Sequence, residues 1–150
     1  MIRRAIAADE GPVTHCARAA HALYTPRIGR EPAPLSADYG APIARGDVHV
    51  ACGDGGRLLG FIVSFPEDGH MPLENVAVRR NAAGRGLGCL PIGFCEREAR
   101  RLGPGAVRLH SNEAMVENRA IYCRLGYVEV ARRLEDGFRR VLFEKRLGTE

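Results

Sequence analysis

The sequence predicts one mixed α/β (α+β) domain over residues 1–150. About seven strands would form a mostly antiparallel sheet, with about four helices packed against it. Three observations point there. Apolar runs of strand length recur between turns rich in glycine, proline and aspartate, as at Val76-Ala77-Val78. Other segments repeat apolar residues at helical spacing, as Val13, Ala17 and Ala20 do. The chain has 150 residues, 45% hydrophobic and 27% charged, which suits a soluble domain able to bury a sizeable core.

In chain order, residues 2–7 read as a first strand, and Asp9 as the N-cap of a helix running to about residue 23. The segment Tyr24-Thr25-Pro26-Arg27-Ile28-Gly29-Arg30-Glu31-Pro32-Ala33-Pro34 then stops the helix, its prolines stiffening a loop. Ser36 caps a second short helix through Tyr39 and Ile43 to Arg45. Residues 48–52 and 58–65 read as a hairpin across Asp54-Gly55-Gly56, which tolerates positive φ. Residues 66–70 turn into a fourth strand that starts at Leu73 and carries the Val76–Val78 run. Next come Gly84, Gly86 and Gly88, on alternate positions around Arg85 and Leu87. A long amphipathic helix follows, with Leu87, Leu90, Phe94 and Leu102 inside and the pairs Glu96 with Arg100 and Arg97 with Arg101 outside. Gly103-Pro104-Gly105 ends it, and residues 107–110 give a fifth strand. A further helix carries Asn118 and Tyr122, and residues 127–134 and 139–147 close the chain as a hairpin around Asp136-Gly137.

Strand, glycine turn and helix in succession present several backbone N–H groups, and the positive end of a helix dipole, to one anion. Glycines suit such a turn because side chains would hold a diphosphate away from the amides. A Walker loop is excluded, because the only lysine, Lys145, is far from the turn. The G-x-G-x-x-G fingerprint fails too, since its third glycine would fall on Cys89 or on Pro91. A strand-to-helix turn without a ligand stays open on these residues alone.

The net charge of +4 does not read as a nucleic-acid surface. It comes from scattered arginines, with no basic run longer than a pair and few aromatics to stack bases. Cys16, Cys52, Cys89, Cys95 and Cys123 are odd in number and form no CxxC pair. They suggest reduced cytoplasmic thiols and no zinc site. No signal peptide or membrane-length apolar run is visible. His15, His21, His49, His70 and His110 show no metal-ligand spacing, and only His70, just before Glu74, is kept as a neighbour for a substrate.

Residues 78–90 resemble motif A of the GNAT superfamily of N-acetyltransferases, whose signature Q/R-x-x-G-x-G/A falls here on Ala83-Gly84-Arg85-Gly86-Leu87-Gly88. Ala83 stands where the family usually has Gln or Arg, and Arg80 where a proline is common. Residues 118–127, Asn118-Arg119-Ala120-Ile121-Tyr122-Cys123-Arg124-Leu125-Gly126-Tyr127, resemble motif B with its Tyr-x-x-Leu-Gly-Phe/Tyr ending. The resemblance implies a GNAT-like fold splayed between the fourth and fifth strands, acetyl-CoA as co-substrate, and no metal. Residues 83–89, ending at Cys89, would then hold the diphosphate. The backbones of Val76 and Val78 would bind the pantetheine like an added strand and meet the oxyanion. Asn118 and Asn112 become candidates for the pantetheine amides, although the family's usual asparagine position is taken by Met115.

For the chemistry, an acceptor amine must lose a proton, and a thiolate must gain one. The resemblance makes Tyr122 the general acid, and Glu74 is the candidate base through water. The bland alternatives are a core tyrosine and a strand-end carboxylate paired with an arginine. Tyr24, Arg27 and Arg30, in the loop that covers the acceptor in this family, are candidate substrate contacts, since paired guanidiniums suit a carboxylate or phosphate. Their alternative is a solvated loop. Cys89 as an acyl carrier is disfavoured against direct transfer. The expected reaction is acetyl transfer to a primary amine of a small molecule or peptide, and the alternative is a non-catalytic acyl-CoA-binding module. The final hairpin is a candidate for joining two copies in a homodimer.

Overall fold

The computed structural model describes residues 2–21, 38–67, 69–78, 90–103, 105–112, 116–135 and 137–147. Seven strands form one sheet: β1 (Ile2–Arg4), β2 (Val48–Cys52), β3 (Leu58–Ser64), β4 (Met71–Val78), β5 (Ala106–Asn112), β6 (Val128–Glu135) and β7 (Phe138–Arg146). Their order across the sheet is β1-β2-β3-β4-β5-β7-β6. All neighbours are antiparallel except β4 and β5. A parallel pair needs a crossover, and α3 (Leu90–Leu102) lies between the two strands in sequence. The other helices are α1 (Glu10–His21), α2 (Gly40–Arg45) and α4 (Val116–Arg124).

The sheet separates two cores, because successive strand residues point to opposite faces. On β3, Phe61 and Val63 join Val13, Cys16 and Ala17 of α1 and Ile43 of α2. Ile62 between them joins the opposite core, with Ile92, Cys95 and Ala99 of α3, Tyr122 of α4, and Val141 and Phe143 of β7. Val13 and Ala17, both 0% exposed, and partly buried Ala20 form the helical stripe expected of α1, and Cys16, also 0% exposed, joins it.

Several expectations are corrected. Asp9 does not cap α1. It closes a short 3-10 turn and folds back toward β1, where its carboxylate accepts the Ile6 N–H at 2.7 Å and pairs with Arg3 at 2.8 Å. That partner holds the Asp9 carboxyl below the usual carboxylate range. Tyr39 is the residue before α2 and not part of it, and the first N–H of the helix, that of Gly40, is accepted by Asp38 at 2.9 Å. Ser36, the expected cap, lies outside the described residues.

Glu96 is the largest departure, because it is buried at 9% exposure and not on the outer face of α3. Helical spacing from Ile92 and Ala99 puts it on the inner stripe. A buried carboxylate needs partners. Tyr127 donates its hydroxyl to Glu96 Oε2 at 3.0 Å, and Lys145 donates to Oε1 at 3.0 Å. Leu102, expected inside, is the last residue of α3 and is 45% exposed. The ion pair observed on the outer face joins Glu98 to Arg101.

Candidate active site between the fourth and fifth strands

Strands β4 and β5 pair in parallel at Met71 with Val107, Pro72 with Arg108 and Leu73 with Leu109. Among the described residues no pairing joins them beyond that point. β5 nevertheless continues against β7 as far as Asn112 with Arg140. Residues 74–78 and 110–112 therefore flank a gap in the sheet, toward the carboxyl ends of both strands. In an open sheet with parallel strands this is where ligands enter.

A β-bulge marks where the gap begins. Gly60 to Val63 of β3 pair with Val78 to Asn75 of β4 in step, but Ser64 pairs with Leu73. Glu74 is the extra residue. An inserted residue bends its strand and increases the local twist, which here coincides with the parting from β5. Gly60 keeps β3 close on the other side, because a Cβ there would stand 2.7 Å from the Ala77 carbonyl oxygen. Past the bulge Asn75 faces the α1 and α2 side, and its Nδ2 donates to the Tyr39 hydroxyl at 2.6 Å. Tyr39 is 3% exposed and packs edge-on against Phe61, with centroids 5.3 Å apart. Burial pushes its phenol up to about 12.

Of the residues singled out in the sequence, Glu74 is exposed at the bulge, and Val76 and Val78 are half-buried along the gap. Tyr122 is buried on α4, with ring centroids 5.7 Å from Phe143 and 6.3 Å from Tyr127. It belongs to the same core cluster as Leu73 and Leu109, the pair at which the strands part. Asn112 is the last residue of β5 and Asn118 lies in the first half of α4; their side chains are outside the described residues. Ala83, Gly84, Arg85, Gly86, Leu87, Gly88 and Cys89, and the loop residues Tyr24, Arg27 and Arg30, lie outside the described residues entirely. His70 sits in the turn before β4, its Nε2 3.5 Å from the Glu67 carboxylate in that same turn.

Sequence reasoning missed the Glu96–Tyr127–Lys145 group beneath Tyr122. Lys145 Nζ stands 5.8 Å from the centroid of the Tyr127 ring. Burial, and then the Glu96 charge, drive the Tyr127 phenol well above its ordinary range, so it remains a donor. The one available signal was a single lysine in a chain that otherwise uses arginine. The missed Tyr39–Asn75 contact joins residues far apart in sequence, and no motif announces it.

Other titratable groups lie away from the gap. Burial, then the Arg4 charge, lower His49, whose ring lies 4.5 Å from that of Phe94. Burial pushes the Cys95 thiol up to about 12, which makes it a poor nucleophile. Among the described residues no cluster of His, Cys, Asp and Glu has the arrangement of a metal site. No described helix is long and apolar enough to cross a membrane.

The chain is similar in fold to several solved acetyltransferases. It aligns with a PaiA N-acetyltransferase from Thermoplasma acidophilum, determined in complex with coenzyme A, at TM-score 0.81 and 18% identity, over 97% of this chain and 98% of that one. A ribosomal-protein-alanine N-acetyltransferase from Escherichia coli aligns at TM-score 0.76 and 17% identity, over 98% of this chain and 93% of that one. A nourseothricin acetyltransferase aligns at TM-score 0.63 and 23% identity, over 67% of this chain and 65% of that one, just under two thirds of its length. No curated protein matches the chain in sequence. The model of the acetyltransferase (GNAT) family matches residues 15–127, which is well over half of the chain and spans the bulged strand, α3 and Tyr122. The chain belongs to the GNAT acetyltransferase family.

Proposed function

We propose that this protein is an acetyl-CoA-dependent N-acetyltransferase that moves an acetyl group directly to a primary amine of a small molecule or peptide. The observation that carries this reading is the gap opening at the Glu74 bulge in a chain of this family. Backbone groups of Val76 and Val78 along the gap suit an extended pantetheine chain, which would add to β4 as a strand does. One of their amides is suited to donate to the oxyanion that forms on the thioester carbonyl. Residues 83–89 suit the diphosphate, and Asn112 and Asn118 the pantetheine amides. Tyr24, Arg27 and Arg30 remain the candidate acceptor contacts. The ribosomal-protein enzyme and the nourseothricin enzyme differ in what their names say they acetylate, so the fold leaves the acceptor open.

The steps follow from what each group can give. An alkyl ammonium has a pKa near 10, so the amine needs a base, and exposed Glu74 takes the proton through water. The neutral nitrogen attacks the thioester carbonyl, a C–N bond forms, and the C–S bond breaks. The departing thiolate takes a proton from the Tyr122 hydroxyl. The phenolate is reprotonated by solvent or by the proton removed from the amine. No acyl-enzyme is needed, and the high-pKa Cys95 is unsuited to forming one.

Calorimetric titration with acetyl-CoA, followed by a thiol-release screen over an amine panel, tests the reading. Micromolar binding with thiol release on one amine supports it. Binding without release from any amine would favour a module that senses acyl-CoA without turnover. No binding at all would overturn it. Tyr122→Phe is expected to lower turnover about 100-fold while leaving CoA affinity within about twofold. An unchanged rate would remove the tyrosine from the mechanism.

A further inference from the structure

The gap begins beside one inserted residue in β4, and a bulge can shift by one position where nothing pins its register. A slide of the bulge from Glu74 to Asn75 would send Asn75 to the other face of the sheet, because side chains alternate along a strand. Asn75 is the first residue past the bulge, paired with Val63. Its amide is tied at 2.6 Å to the hydroxyl of Tyr39, which is 3% exposed and stands directly before α2. The phenol has little freedom of its own. Its ring is wedged edge-on against Phe61 in the core shared with Ala77, the residue two places further along β4. The tie thus reaches from the start of α2 to the strand that forms one wall of the gap.

We infer that Tyr39 and Asn75 are a positioning pair that locks the β4 bulge at Glu74 and so shapes the gap for the pantetheine arm of CoA. The inference rests on reading the gap as the coenzyme site. Neither side chain needs to touch the coenzyme. The pair sets where the amides of residues 76–78 stand. The Tyr39 hydroxyl accepts from Asn75, and burial pushes the phenol up to about 12, so it stays uncharged throughout the physiological range.

Two ligands separate this role from plain stabilisation. CoA would contact the gap through its pantetheine arm, whereas adenosine 3′,5′-bisphosphate, its nucleotide end, lacks that arm. Titrations of both into wild type, Tyr39→Phe, Asn75→Ala and the double variant are expected to show CoA weakened about tenfold in each single variant, the loss of about one hydrogen bond's worth of order. The double variant should be no weaker than the worse single one, because both remove the same tie. The bisphosphate should bind all four proteins within about twofold. Equal weakening of both ligands, unchanged CoA affinity, or additive losses would each overturn the inference. Tyr39→Phe removes a single oxygen, so a second measurement uses it alone. Hydrogen exchange should speed up about tenfold at residues 74–78 and stay unchanged in β2. Uniform or unchanged exchange would overturn the lock. If wild type binds no CoA, the coenzyme reading fails by itself, and the exchange result still decides whether the pair holds the bulge.

Discussion

Replacing Lys145 with methionine should expose how much the buried acidic group beneath Tyr122 costs when left alone. The methionine keeps most of the stem volume and removes the ammonium that stands 3.0 Å from Glu96 Oε1. Among the described residues, Glu96 would then keep the Tyr127 hydroxyl alone, at 3.0 Å from Oε2. Breaking a fully buried pair by removing one partner costs about 3–5 kcal/mol, whereas an exposed pair is worth under about 1 kcal/mol. Here the two side chains are 27% and 12% exposed, so water reaches the lysine but barely the carboxylate. We therefore expect a loss of about 2 kcal/mol for Lys145→Met, read as a lowered urea midpoint at constant slope. For a chain of this length that corresponds to a Tm lower by about 4–8 °C. Adding Glu96→Gln should recover at least half of the loss, since the orphaned charge is then gone while Tyr127 keeps an oxygen acceptor. A Lys145→Met variant within about 0.5 kcal/mol of wild type would refute the reasoning. So would a double variant less stable than the sum of the single ones.

Three other outcomes follow from the same geometry. Stability should fall with alkali above pH about 10, where unfolded tyrosines release a proton that Tyr39 and Tyr127 retain when folded. Because the folded phenols have raised pKa values, their contribution is complete below about pH 10 and is lost as pH rises. The slope is about 1.4 kcal/mol per pH unit per tyrosine, extending to about 12 for Tyr39, and Tyr39→Phe should flatten it in pH-dependent urea melts. Gly60→Ala should destabilise by about 1–3 kcal/mol in the same melts and weaken CoA binding, since its Cβ would meet the Ala77 carbonyl at 2.7 Å, where β3 and the gap-lining strand touch. Thiol labelling of the folded protein should modify exposed Cys123 while leaving Cys95, buried and with its thiol raised to about 12, unreacted until unfolding. Labelling of both at one rate would contradict the burial.

Much of the architecture was legible in the residues because it is local. The stripe of Val13 and Ala17 specifies a helix with one apolar face, and Asp54-Gly55-Gly56 places two glycines at positive φ, 74° and 77°, in the turn between β2 and β3. Gly137, at φ 81°, does the same between β6 and β7. The two motifs likewise pointed to the family, since each is a contiguous run whose chemistry sits in one turn or one helix. What sequence periodicity could not supply is anything set by two distant segments. The bulge at Glu74 appears only when β4 is laid against β3, because an extra residue is defined by the partner's count and not by its own strand. Glu96 reads as a surface acid until the turn into β6 brings Tyr127, and β7 brings Lys145, to it across 31 and 49 residues. Tyr39 reads as a helix residue until Asn75, 36 residues on, reaches its hydroxyl. The sequence by itself determined the elements and the family. Tertiary structure decided at which residue the expected splay between β4 and β5 begins and which buried polar groups meet beside it, because those depend on contacts that closing the chain alone creates.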